Sequence, residues 1–100
     1  MNDKEDLSSP FAETVDYEIT DSIDLHAFDP KEIAAVTRVY LDEARKKNFQ
    51  IVRIIHGKGV GVQREIVRKI LEETEFVEKF KAGDEFSGGW GATVAELKQD

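Results

Sequence analysis

Apolar residues recur along the chain with two periods, and the changes of period divide it into strands and helices. Val15–Ile19 alternates apolar and acidic positions, the pattern of an edge strand. Ser22–His26 places Ile23 and Leu25 on one face and Asp24 and His26 on the other. A helix start follows: Asp29 can cap, Pro30 fits the first helical position, and Glu32 lies where a capping-box acid belongs. Ile33, Val36, Val39, Tyr40 and Ala44 continue at helical spacing. Arg45–Lys46–Lys47 suits the negative helix end, and Asn48 can terminate it. Gln50–His56 is nearly all apolar and rich in β-branched residues, as expected of a central strand covered on both faces. Gly57–Gly61 breaks that strand. Val62–Glu73 is a second amphipathic helix with Ile66, Val67, Ile70 and Leu71 as its buried stripe. Phe76–Lys81 alternates Phe76, Glu78 and Phe80 against Val77, Lys79 and Lys81. Ala82–Trp90 is a glycine-containing loop, and Gly91–Leu97 is a final strand. The order is β-α-β-α-β-β, an α/β class domain with its last two strands as antiparallel neighbours.

A chain of 100 residues leaves room for one domain and a modest core. Residues 1–19 read as an acidic, mobile N-terminal arm, and 20–100 as the folded domain. There is no cysteine, hence no disulfide framework and no thiolate metal site. Apolar runs fall far short of the roughly 20 residues that cross a bilayer, and the acidic start lacks a signal-peptide pattern. These features point to a cytoplasmic protein without membrane contact.

The net charge of −7 argues at first against nucleic acid. Its distribution reverses that reading. Residues 1–24 carry eight acids against Lys4 alone, whereas residues 38–69 carry nine bases against Asp42, Glu43 and Glu65. The basic middle of the chain is compatible with an anion-binding face.

Three segments carry candidate chemistry. His56-Gly57-Lys58-Gly59-Val60-Gly61 joins a strand to a helix, so its backbone N–H groups and the helix N-terminus can receive an anion, with Lys58 and Arg64 adding full charges. Its spacing matches neither the dinucleotide nor the nucleoside-triphosphate glycine fingerprint. A tight turn without ligand is the plainer alternative. Asp24 and His26, two apart on a strand, can lie side by side as a carboxylate-oriented general acid or base; merely bonding the following turn is the alternative. In a right-handed β-α-β unit the ends of the first two strands share one sheet edge, which brings His26 and His56 together. Finally, Gly89, Trp90 and Gly91 lie in a loop that can approach a ligand, with Trp90 stacking on a base or sugar or else covering the sheet edge.

Ile23-Asp24-Leu25-His26, His56-Gly57-Lys58-Gly59 and Gly88-Gly89-Trp90-Gly91-Ala92-Thr93-Val94 resemble, in order, the L-D-L-H-G, H-G-x-G and G-G-x-G-x-T-x-V signatures of the Smr (small MutS-related) domain family. The resemblance covers about residues 20–98. It implies a two-layer α/β (α+β) sandwich, a four-stranded mixed sheet with two helices, similar to the C-terminal domain of bacterial initiation factor three. It also implies nucleic-acid binding with endonuclease or nicking activity on DNA or RNA. Asp24 and His26 are then implicated in cleavage, and His56, Gly57, Lys58 and Gly59 in substrate binding or cleavage. His56 is expected as a second acid/base or a phosphate contact. Gly61, Arg64, Gly89, Trp90 and Gly91 complete the expected binding set. No metal site is assigned, although Asp24 with two histidines offers a place for a divalent ion such as magnesium or manganese. The family glycine after the first histidine is Ala27 here; a methyl group impairs the site if that position needs positive φ, and is harmless if it only starts the turn. The alternatives to an endonuclease are a non-catalytic nucleic-acid-binding module and a protein-interaction domain whose acidic arm engages a basic partner. The expected state is a monomer or weak homodimer.

Overall fold

The computed structural model describes residues 19–57, 61–83 and 89–99, apart from the Trp90 side chain. The arm and edge strand expected before Ile19, the Lys58 and Gly59 positions, and the expected stacking of Trp90 lie outside the described residues. The elements are β1 (Ser22–Asp24), α1 (Pro30–Lys46), β2 (Ile51–Ile55), α2 (Val62–Glu73), β3 (Val77–Ala82), a 3-10 turn (Gly89–Gly91) and β4 (Ala92–Leu97).

The four strands form one mixed sheet in the order β1-β2-β4-β3, with β1 parallel to β2 and both β2–β4 and β3–β4 antiparallel. The two helices pack on each other and on one face of that sheet. Leu25, Ile33, Leu41, Val52, Ile54, Val67, Leu71 and Ala95 form the centre of the core. Each of the leucine, isoleucine and valine side chains removed from water contributes about 1.5–3 kcal/mol, against the ordering of the chain.

Both ends of α1 are specified locally. The Asp29 carboxylate accepts from the Lys31 N–H at 3.1 Å, and Pro30 occupies the first turn. At the other end Asn48 takes φ of +62°, its N–H donates to the Arg45 carbonyl, and the Phe49 N–H donates to the Ala44 carbonyl. That pair of bonds is a Schellman closure, with asparagine in the left-handed position usually held by glycine.

Two expectations need correction. β2 is not covered on both faces: Val52 and Ile54 are buried, but Ile51 is 55% exposed and Ile55 half-buried. Both helices cover the same side, so the apolar run of β2 records strand preference on its open face as well as burial. In β3 the strict alternation also fails. A register shift between Val77 and Lys79 inserts an extra residue, and Val77 and Phe80 both pack against the helix-side core.

Candidate nucleic-acid interface

The first strand hands over to the site within three residues. Leu25 still donates its N–H to the Ile55 carbonyl at 2.7 Å, keeping it in line with β2 and fully buried. The next N–H, that of His26, turns instead to the Asp24 carboxylate at 3.0 Å. The same oxygen accepts from His26 Nδ1 at 2.5 Å. One carboxylate oxygen thus fixes the residue's backbone and its ring together. The Asp24 carboxyl is held below the ordinary carboxylate range, first by the ring hydrogen bond and then by the backbone one. With Nδ1 bearing the proton toward Asp24, Nε2 is the nitrogen left for chemistry. The His26 side chain is 62% exposed and Asp24 52%.

The turn after His26 closes through the Phe28 N–H onto the Leu25 carbonyl at 3.0 Å. Ala27 is exposed within it. Among the described residues Asn48 is the one non-glycine with positive φ, so Ala27 adopts a backbone conformation open to any L-residue. The glycine of the family signature is not needed here for conformation. Gln63, in the first turn of α2, donates its side-chain N–H to the Phe28 carbonyl at 2.9 Å and ties this turn to the second helix.

The glycine loop meets the same turn. Gly57 has φ of +92°, and a Cβ placed on it would lie 3.3 Å from His26 Cβ and 3.9 Å from His26 Cα. The backbone of the loop therefore passes directly against the histidine of the first motif. Gly91 holds this stretch from below, its carbonyl accepting from the N–H groups of both His56 and Gly57, at 2.9 and 3.0 Å. Gly91 is buried, so its place is in the support of the loop. Gly61 also has positive φ, and no described side chain caps α2. The first N–H groups of that helix border a cavity of about 250 Å³ between Pro30, Gly57, Gly61 and Arg64. Gly89 has φ of +57° and open space where a Cβ would stand.

His56 occupies a different position from the one its motif suggests. Its residue is 1% exposed, with Nε2 2.9 Å from the Thr93 hydroxyl and Nδ1 3.1 Å from the Gly57 carbonyl. The carbonyl can only accept, which assigns the proton to Nδ1 and makes Thr93 the donor to Nε2. Burial is the main cause lowering the His56 pKa, and the positive charges of Arg64 and Arg68 add to it; the Gly57 carbonyl opposes them. A neutral ring with both nitrogens engaged supports the loop. It cannot serve as the expected second acid/base without leaving its place. Nor does it join His26 and Asp24 in a ligand set: among the described residues no three His, Cys, Asp or Glu side chains gather where a metal could be held.

Sequence reasoning singled out Asp24, His26, Gly57, Gly61 and Arg64, and the structure places them along one sheet edge. It did not single out Gln63 or assign Thr93 a partner. The signal for Thr93 was available, since a threonine amid Ala92, Val94 and Ala95 in a buried strand needs a polar neighbour. Gln63 carried no such signal.

The model of the Smr domain matches residues 23–98, three quarters of the chain. The chain belongs to the Smr domain family. An endonuclease MutS2 from Clostridium acetobutylicum is 40% identical over 80 residues, and one from Staphylococcus carnosus 40% over 76. These stretches are 80% and 76% of this chain but 10% of each relative, so the likeness spans one domain of much longer proteins. Among solved structures, the Smr domain of Thermus thermophilus MutS2 matches with a TM-score of 0.73 and 32% identity, over 77% of this chain and 96% of that one. YdaL, a stand-alone small MutS-related protein from Escherichia coli, matches with a TM-score of 0.75 and 25% identity, over 78% and 64%. The Smr fold of two helices on a four-stranded mixed sheet is thus shared. Among the described residues, no helix is long and apolar enough to cross a membrane.

Proposed function

We propose that this Smr domain binds nucleic acid at the edge where Asp24, His26 and Gly57 meet, and cleaves a phosphodiester bond there. The observation that carries this reading is the contact between the exposed Asp24–His26 pair and the Gly57 turn, beside the start of α2, which no described side chain caps. The names of the MutS2 relatives, endonucleases, support the same class of chemistry.

In this reading the phosphate sits over the Gly57–Gly61 loop and the first N–H groups of α2, where the helix dipole favours negative charge. Lys58 and Arg64 add full positive charges and stabilise those developing on the phosphoryl oxygens. His26 takes a proton at Nε2 from the attacking hydroxyl, either water or a sugar hydroxyl, as that oxygen bonds to phosphorus; the P–O bond to the leaving sugar oxygen breaks, and that oxygen takes up a proton from solvent. Asp24 holds the ring and stabilises the imidazolium that results. His56 takes no proton. It fixes the Gly57 carbonyl and hence the height of the loop.

The test is cleavage of labelled RNA and duplex DNA by wild type, Asp24→Ala and His26→Ala, with and without chelator. Wild type is expected to cut, and both variants to bind with little loss yet not cut. Residual cutting equal in all three proteins would identify a contaminating nuclease and defeat the catalytic reading. Binding by wild type with no cutting under any condition would leave a nucleic-acid-binding module. No binding at low salt would defeat both.

A further inference from the structure

Resting on that reading, we infer that Arg68, held against the Phe80 ring, is a second backbone-phosphate contact, about one helical turn beyond the Gly57–Gly61 loop. Its guanidinium carbon lies 5.1 Å from the Phe80 ring centroid. Phe80 is itself fixed, half-buried, in β3 opposite Ala95 and packed on the core. A guanidinium laid on an aromatic ring loses motional freedom while its N–H edge stays available.

Arg45 lies over the Phe76 ring in the same way, at 4.8 Å, but in the last turn of α1, at the opposite end of the strands from the glycine loop. Arg38 faces Glu73 at 3.5 Å, Lys46 faces Glu43 at 3.4 Å, Lys79 faces Glu96 at 3.7 Å, and Arg64 reaches Glu65 at 3.9 Å. Arg68 makes no ion pair among the described residues, although Glu65 and Glu72 stand at helical spacing from it. Its plane rests on an aromatic ring rather than on a carboxylate.

Position links it to the site. Arg64 and Arg68 are one turn apart on α2, about 6 Å along the axis, and both act on buried His56. A rise of about 3.4 Å per nucleotide makes that interval roughly two steps of a strand. A polynucleotide whose scissile phosphate lies at His26 and the glycine loop, and which runs along α2 past Arg64, presents its next phosphates to Arg68. The alternative role, a cation merely shielding the Phe80 ring from water, involves no ligand.

The experiment is fluorescence anisotropy of a labelled 20-nucleotide single-stranded oligonucleotide, titrated from 50 to 200 mM salt. The proteins are wild type, Arg68→Ala, Arg68→Gln and Arg68→Lys, each checked by far-UV circular dichroism. One lost phosphate contact on a single strand should make the log–log salt slope shallower by about 0.7. The corresponding affinity loss is about eight-fold at 50 mM salt and about three-fold at 200 mM. Arg68→Ala and Arg68→Gln should both show this, and Arg68→Lys should restore the slope. Arg38→Ala, whose partner Glu73 lies at the far end of α2, serves as control and should match wild type. A wild-type slope in Arg68→Ala or Arg68→Gln overturns the inference while leaving the binding reading intact. Failure of wild type to bind at 50 mM salt overturns both.

Discussion

Replacing Gly57 by alanine tests whether the glycine loop and the Asp24–His26 pair work as one unit. Two effects act at this position. The backbone angle of +92° lies well beyond the left-handed minimum near +57°, and holding an alanine there costs about 1–3 kcal/mol. The added methyl would also stand 3.3 Å from His26 Cβ, closer than ordinary contact, so one of the two must give by a few tenths of an ångström. His26 cannot yield by a side-chain rotation, because the contact is at Cβ and its backbone N–H and ring are both tied to Asp24. A displacement of about 1 Å can cost a hundred-fold in rate, so a few tenths should cost on the order of ten-fold. Gly89→Ala provides the reference, since it carries a positive φ of +57° with nothing within 4 Å of its would-be Cβ. Urea unfolding followed by far-UV circular dichroism gives the stability change. Single-turnover cleavage at saturating protein gives the rate. Gly57→Ala should lose both stability and rate, Gly89→Ala mainly stability. Equal effects on rate would show that the Gly57–His26 contact does not position the histidine.

Three further outcomes follow from the same geometry. Thr93→Val keeps the shape of a fully buried side chain but leaves His56 Nε2 without its donor, so unfolding free energy should fall by about 1–3 kcal/mol; a change below about 0.5 kcal/mol in urea titrations, within the range of ordinary surface substitutions, would remove His56 from the support of the loop. Because His56 has a lowered pKa in the fold, the unfolded chain binds a proton that the native one resists. Stability should be full above about pH 6.5 and fall on acidification at up to about 1.4 kcal/mol per unit. A flat set of urea midpoints between pH 7.5 and 5.5 contradicts this, and Asp24, whose lowered value acts only below the ordinary 3.8, does not interfere in that window. Ala27→Gly should cost about 0.4–1 kcal/mol through the freer unfolded chain and leave cleavage unchanged; a several-fold gain in cleavage rate would mean the family glycine serves the ligand after all.

Much of this architecture was readable from periodicity and punctuation. The bounds of α2, the Asp29 cap, the Asn48 stop and the antiparallel final strands followed from local chemistry that packing did not override. Ile51 and Ile55 look like core residues because strand preference and burial select the same side chains, and only the placement of both helices on one face separates them. The β3 bulge was equally hidden, since the composition of Val77–Phe80 does not say which residue is the extra one. At the site, the meeting of the two motifs followed from β-α-β topology, but the unequal treatment of the two histidines did not. His56 is determined by Thr93, 37 residues away, and no spacing rule reaches across that distance.

That inequality separates two ways of losing activity. The exposed His26 ring is bonded to Asp24, and alanine keeps the Cβ that faces Gly57, so His26→Ala should remove proton transfer while leaving the core, the loop and binding in place. His56→Ala removes a buried ring and two hydrogen bonds, and frees both the Gly57 carbonyl and the Thr93 hydroxyl. Its cost should be about 2–4 kcal/mol, with affinity and cleavage declining together as the loop loses its support. Measured per folded molecule, His56→Ala should keep part of its cleavage rate, and His26→Ala should keep almost none. If His56→Ala instead proves as stable as wild type, binds normally and fails to cut, then His56 must leave its buried seat during the reaction and act on the substrate. The support role argued from Thr93 and Gly57 would then be wrong.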